Sequence, residues 1–290
     1  MMIGFIGTGV MGRSMALHLI ENGYNLIVYN RTKARAEDLL EMGAIWKDTV
    51  GEVAREADVI ITMVGYPKDV EEIYLSENGI IQCAKPGSTM IDMTTSKPSL
   101  AKQIHEIAKT KGLHALDAPV SGGDIGAKNA TLAIMVGGDL KVFEEMKTIF
   151  ECMGKNIVWQ GEAGAGQHTK MCNQIAIASN MIGVCEAMVY AKKAGLDPEI
   201  VLKSIGAGAA GSWSLSNLAP RMIKGDFAPG FYVKHFIKDM SIALTEAKEM
   251  GFSAPGLELS KSLYDLIASD GKEDHGTQVL FQLLNNQKLL

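Results

Sequence analysis

Cysteine is scarce in this chain of 290 residues, and Cys83, Cys152, Cys172 and Cys185 stand without C-x-x-C spacing. That scarcity excludes a disulfide framework and a cysteine-ligated zinc site, so no metal is expected and the four read as buried thiols in a reducing compartment. Basic charge is not in excess either: the net charge is -5, which removes the electrostatic footprint of a nucleic-acid binder. Long apolar runs are missing. The longest uncharged stretch, Met171 to Cys185, is 15 residues and is interrupted by Asn173, Gln174, Ser179 and Asn180, short of the roughly 20 apolar residues of a membrane span. No basic segment precedes the apolar run that starts at Met2, so the expectation is a cytoplasmic protein without a secretory signal. Internal repeats and low-complexity segments are absent too.

What is present is an ordinary globular composition, 47% apolar and 21% charged, in a chain long enough for two domains. Ile3 to Ile6 is a short apolar run, followed by Gly7-Thr8-Gly9-Val10-Met11-Gly12 and by Met15, Ala16, Leu19 and Ile20 at helical spacing. Strand, glycine turn and helix in that order form a dinucleotide cradle. Gly7 permits the tight turn, Gly9 admits a pyrophosphate to the backbone, Gly12 lets helix and strand pack closely, and the helix start at Val10 and Met11 offers N–H groups to phosphate. A second strand, Asn25 to Tyr29, ends at Asn30-Arg31-Thr32-Lys33, where an NAD enzyme places an acid for the ribose 2′-hydroxyl. The acid is lacking and Arg31 suits a 2′-phosphate, so NADP is favoured, with NAD still possible. The plainer reading makes Arg31 and Lys33 solvated residues opening the next helix.

Alternating strand and helix patterns continue: strands at Val59 to Val64 and Met90 to Met93, helices at Pro67 to Tyr74 and Pro98 to Lys109. This predicts a parallel, doubly wound Rossmann-type α/β sheet, with the loops after its strands facing the ligand. Val64, in Met63-Val64-Gly65-Tyr66-Pro67, and Thr95, in Met93-Thr94-Thr95-Ser96, therefore belong at the cofactor crevice; Thr95 is equally suited to capping the helix at Pro98. After a strand at His114 to Leu116 comes Asp117-Ala118-Pro119-Val120-Ser121-Gly122-Gly123-Asp124-Ile125-Gly126-Ala127. Gly122 and Gly123 free the backbone to turn N–H groups toward an anion and Ser121 adds a donor, making a nest for a carboxylate; a structural Gly-Gly loop is the alternative. Strands at Leu132 to Val136 and Asn156 to Val158, around a helix near Lys141 to Phe150, complete a domain of residues 1–163.

From residue 164 to 290 helical periodicity takes over, and an all-α domain is expected. Its first helix, Gln167 to Ala194, would run about 42 Å and is apolar on most faces. Later helices read as one beginning at Asp197-Pro198-Glu199, then Ser214 to Lys224, Lys234 to Met250, Leu257 to Ser269 and Thr277 to Gln287. Near the start of the long helix Lys170, Asn173 and Gln174 share one face. A lysine beside an apolar cleft has its ammonium form disfavoured, and a second cation would favour proton release further. Lys238, next to Asp239, is a candidate for that cation; a solvated surface pair is the alternative.

Four separated motifs, Gly7 to Gly12, Asp117 to Gly123, Gly164-Ala165-Gly166 with Lys170 and Asn173, and Lys238-Asp239, together resemble the β-hydroxyacid dehydrogenases along essentially the whole chain. The resemblance implies that Lys170 is the catalytic lysine, passing a proton to or from the substrate oxygen, with Asn173 as its hydrogen-bonding companion. It further implies a carboxylate cradle at Ser121, Gly122 and Gly123, a cofactor contact at Thr95, and closure over the nicotinamide by Phe231, Lys238 and Asp239. The implied partners are a small carboxylate-bearing substrate and a second copy of the chain bound through the helical domain. Asn30-Arg31-Thr32 is similar to the NADP-using reductases of the family, whereas Ser212-Trp213-Ser214 resembles the loop of its 3-hydroxyisobutyrate dehydrogenases. The activity expected is an NADP-preferring dehydrogenase of a short 3-hydroxy acid or reductase of its semialdehyde. An NAD-using 3-hydroxyisobutyrate dehydrogenase and a catalytically silent dinucleotide-binding protein are the alternatives. Imine reduction is disfavoured because Lys170 is retained, and phosphogluconate-type decarboxylation because the helical part is short.

Overall fold

The computed structural model describes residues 1–286, which divide into two compact units, one of residues 1–170 and one from residue 171 on. The first is built as β1 (Met2–Ile6), α1 (Val10–Glu21), β2 (Asn25–Tyr29), α2 (Glu37–Glu41), β3 (Ile45–Trp46), α3 (Val50–Glu56), β4 (Val59–Thr62), α4 (Pro67–Leu75) and α5 (Ile80–Cys83). It continues through β5 (Thr89–Asp92), α6 (Pro98–Thr110), β6 (His114–Asp117), β7 (Val120–Ser121), α7 (Gly123–Lys128), β8 (Leu132–Gly137), α8 (Leu140–Glu151) and β9 (Gly154–Gly161).

The strand order β3-β2-β1-β4-β5-β6 is parallel throughout. Successive residues of each central strand enter opposite cores, which is why these strands read as unbroken apolar runs. Ile3 and Phe5, Leu26 and Val28, and Val59 and Ile61 pack on one face of the sheet with Met15 and Leu19 of α1. Ile6, Ile27 and Ile60 pack on the other with Val53, Val70 and Ile104. The sheet is not wholly parallel as expected: β8 runs antiparallel to both β6 and β7, with β9 parallel on its other side. Pro119, between β6 and β7, accepts from the Met135 N–H but has no N–H of its own to continue the ladder.

Helix α9 (Ala165–Lys193) has 29 residues and carries the boundary between the units, since residue 170 closes the first. The remaining elements are α10 (Pro198–Ile205), α11 (Trp213–Asn217), α12 (Ala219–Ile223), α13 (Val233–Glu249), α14 (Pro255–Ser269) and α15 (Leu280–Asn286). Their apolar faces meet in one core around Met181, Cys185, Met188, Phe236, Met240 and Tyr264.

Several local expectations change. The stretch read as one helix from Ser214 to Lys224 is two short helices, because Pro220 lacks the N–H that a continuous ladder needs. The terminal helix opens with a 3₁₀ turn at Thr277–Val279, and Gln287, its expected last residue, lies outside the described residues. Among the cysteines only Cys185 is buried; Cys83 and Cys152 are half-buried and Cys172 is exposed. Burial pushes the Cys185 thiol up, out of the range where it reacts.

Candidate active site

The first layer of the site is the turn between β1 and α1. Gly7 has φ +99°, and a Cβ there would lie 2.2 Å from the Met63 carbonyl; one on Gly12 would lie 1.9 Å from the Gly7 carbonyl. At Gly9 the space beyond is open, with nothing within 4 Å of an added Cβ. Gly9 caps α1 without any side-chain hydrogen bond, so the first N–H groups of the helix point outward. Val10 is 56% exposed, and the buried Thr8 hydroxyl has no hydrogen-bond partner. A cradle open only at Gly9, ringed by helix N–H groups and an unsatisfied hydroxyl, fits the pyrophosphate of a dinucleotide.

Around it the structure refines the expected contacts. Asn30 faces inward: its Oδ1 accepts from the Thr8 N–H at 3.2 Å and its Nδ2 donates to the Thr32 carbonyl at 2.9 Å, so it shapes the two loops. Arg31 is largely exposed and donates to Asp69 at 3.2 Å, while Lys33 lies over the Trp46 ring. The Val64 N–H donates to the Thr94 hydroxyl at 3.0 Å, tying the loops after β4 and β5 together. Thr95 is half-buried in the second of these loops and is not the cap of α6, whose N-cap is Lys97.

Two acids at adjacent strand ends support these loops. Asp92 accepts from the Thr62 hydroxyl at 2.8 Å and the Thr94 N–H at 3.0 Å, and burial pushes its carboxyl up to about 6. Burial also raises Asp117, whose two oxygens accept from the N–H groups of Gly164 at 2.7 Å and Gln167 at 2.8 Å. Asp117 thus caps α9 from a strand 47 residues away in sequence. A Cβ on Gly166 would meet the Met135 carbonyl at 2.4 Å, so only glycine allows this approach.

The same segment that begins with Asp117 carries Ser121, Gly122 and Gly123, the candidate anion nest. Gly122 and Gly123 have φ +130° and +62°, and the stretch expected as a loop becomes α7 from Gly123 on. Lys170 is 6% exposed, and its ammonium donates to the carbonyl of Val120 at 2.8 Å, one residue before Ser121. The amine is therefore held beside the segment that leads into Ser121, Gly122 and Gly123.

In the second unit, Asn173 donates to Gln174 at 2.7 Å, Gln174 donates to Asp239 at 2.7 Å, and Lys238 pairs with the other Asp239 oxygen at 3.0 Å. The solvated-pair alternative fails, because the side chains of Lys238 and Asp239 are 11% and 2% exposed. Asp239 is buried, its Oδ2 accepting from Gln174 and its Oδ1 ion-paired with Lys238. Phe231 is half-buried with its ring 5.6 Å from that of Phe236. Ser212 caps α11 through the Leu215 N–H, which gives Ser212-Trp213-Ser214 a local structural reason beside the family likeness. No cluster of metal-ligating side chains occurs among the described residues.

Sequence reasoning missed the parts played by Asp69, Asp92, the Asp117 carboxylate and the Gln167 amide. The readable signal was an acid as the last residue of two consecutive parallel strands.

Two family models match in succession. Residues 2–161 match the NAD-binding domain of 6-phosphogluconate dehydrogenase, and residues 164–284 match the NAD-binding domain of NADP-dependent 3-hydroxyisobutyrate dehydrogenase. The chain is 68% identical over 281 residues to an uncharacterized oxidoreductase of Bacillus subtilis, covering 97% of this chain and 98% of that one. It is 40% identical to the 2-hydroxy-3-oxopropionate reductase of Escherichia coli, with both chains covered completely. The solved structure of Mycobacterium tuberculosis 3-hydroxyisobutyrate dehydrogenase with L-serine is similar at a TM-score of 0.89 and 31% identity, covering 98% of each chain. With a glycine cradle after β1 and a buried lysine early in α9 carried in the same order as the two matched domains, the chain belongs to the β-hydroxyacid dehydrogenase family of NAD(P)-dependent oxidoreductases.

Proposed function

We propose that this enzyme prefers NADP and interconverts a short 3-hydroxy acid and its semialdehyde, with Lys170 as general acid and base. The observation that carries the reading is the Lys170 ammonium 2.8 Å from the Val120 carbonyl, directly before Ser121-Gly122-Gly123. An acid whose carboxylate sits in that nest brings a carbon two or three bonds away to the amine. The nicotinamide supplies or accepts the hydride. In reduction Lys170 gives a proton to the carbonyl oxygen as it becomes a hydroxyl, and in oxidation it takes that proton back. Asn173, one helical turn further along α9, orients the same oxygen, its amide set by Gln174 and Asp239.

Arg31 supports the NADP preference. Its guanidinium is exposed and offers several donors beyond the one used on Asp69, and no acid stands in Asn30-Arg31-Thr32-Lys33 directly after β2. The names of the relatives, a 2-hydroxy-3-oxopropionate reductase and 3-hydroxyisobutyrate dehydrogenases, support the substrate class. The proposal includes association of two or more copies through the helical unit and a cytoplasmic location.

The test is an initial-rate panel of glyoxylate and of succinic, methylmalonic and tartronic semialdehydes with both cofactors. It is run on the native enzyme, on Lys170→Ala and on Arg31→Asp. Lys170→Ala should bind NADPH normally by fluorescence and lose about 10²–10⁴-fold in kcat; near-native turnover refutes the lysine's role. Arg31→Asp should weaken NADPH far more than NADH, and an unchanged cofactor ratio refutes the NADP assignment.

A further inference from the structure

Resting on the function proposed above, we infer that Gln167 is a positioning residue for Lys170: its amide locks the turn Thr94-Thr95-Ser96 to the first turn of α9 and so sets where the amine stands. Gln167 is fully buried. Its Oε1 accepts from the Ser96 N–H at 2.9 Å and its Nε2 donates to the Thr94 carbonyl at 2.7 Å, so one side chain grips the peptide groups on both sides of Thr95. The backbone N–H of the same residue goes to Asp117.

Packing alone does not call for an amide here. A methionine fills nearly the same volume without the cost of dehydrating a polar group, so the buried amide is informative only through its two bonds. Asp117 holds the end of α9 at one place, and a helix held there can still turn about that point. Gln167 adds a two-point grip on a different loop and removes that freedom. Lys170 follows three residues later, with its amine directed to Val120. The result is a fixed relation among the Thr95 turn, the Ser121–Gly123 nest and the amine, all within the first unit. Displacement of a reacting group by about 1 Å costs on the order of 10²-fold in rate.

Two variants of the full-length protein test this. Gln167→Met keeps the bulk and removes both bonds; kcat should fall about 10²-fold while KM and the NADPH Kd stay within about threefold. In a Lys170→Ala background the same substitution should add nothing, because its effect passes through the lysine. Gln167→Glu keeps the acceptor for Ser96 and regains a donor for Thr94 only when protonated. Its activity relative to native should therefore climb as pH is lowered from about 8 to about 5. The inference is overturned by native kcat in a folded, NADPH-binding Gln167→Met, by equal losses in both backgrounds, or by a flat relative pH profile for Gln167→Glu. The Glu arm decides if the Met variant does not fold. Should the native enzyme turn over no semialdehyde, the functional reading fails separately. The positioning is then read in unloaded protein from the Lys170 ¹³Cε resonance, assigned by its loss in Lys170→Ala. A resonance that moves with pH in Gln167→Glu but not in the native chain supports it, and one that behaves alike in both overturns it.

Discussion

At the end of β5 a single carboxyl, Asp92, is buried at a cost that depends on pH. Burial lifts it from an ordinary 3.8 to about 6, against the hydrogen bonds from Thr62 and Thr94 that favour its charged form. Between those values the folded protein holds a proton that the unfolded chain has released. Its favourable contribution to stability is therefore fully present below about pH 4 and is lost as pH rises through about 6. The displacement corresponds to about 3 kcal/mol. The hydrogen bonds from the Thr62 hydroxyl and the Thr94 N–H converge on Oδ1, which an amide oxygen reproduces, so Asp92→Asn should raise Tm by several degrees at pH 8 and change it much less near pH 3.5. Thermal unfolding at the two values checks this, and an equal difference at both would locate the effect outside the ionisation. In exchange for that cost, the carboxylate at neutral pH holds the Thr94 N–H and through it the turn that carries Thr95.

At the scale of elements, the β1-turn-α1 unit separates two jobs that glycine does. A Cβ on Gly12 meets a backbone carbonyl at 1.9 Å, whereas one on Gly9 meets nothing within 4 Å. Gly12→Ala should therefore lower Tm and NADPH affinity together, because helix and strand can no longer close. Gly9→Ala should leave Tm unchanged and weaken NADPH alone; a matching Tm loss in both variants would contradict the separation. This unit was legible in the sequence because its signals are local: an apolar run, a glycine spacing and a helical period within 20 residues. The same locality made β2, β4, β5 and α6 readable. Helix α3 was overlooked although Thr49 and Glu52 form a capping box that announces it. The Gln167 clamp was not readable at all, since its partners lie 71 and 73 residues away and a glutamine has no local preference that betrays them. Asp117 was singled out within its motif, but nothing nearby showed that its carboxylate caps a helix from across the sheet.

For the whole molecule, the compact units part a few residues beyond the place that composition marks. The change from strand to helix signals suggests a cut between 163 and 164, where the two matched family models also meet, while by packing the first turn of α9 stays with the first unit, held there by Asp117 and Gln167, so that the compact units part after Lys170. Helix α9 as a whole is long and apolar enough by length and composition to cross a membrane, and only 39% of its most apolar window is buried within the described residues. Helices apolar on most faces need cover. On α9 before its last turn the exposed positions are Cys172, Ala176, Ser179, Gly183, Glu186 and Tyr190, alternating by four and three along one stripe, mostly small and suited to close approach of another helix. The association proposed above would cover this stripe. Sedimentation at micromolar concentration should give a mass of at least two chains, against 31.2 kDa for one. Gly183→Arg, placed where an added Cβ has open space and strains nothing within its own chain, should reduce that mass while leaving NADPH binding intact. A native protein that sediments as one chain, or a Gly183→Arg variant that keeps the native mass, removes this stripe as the contact.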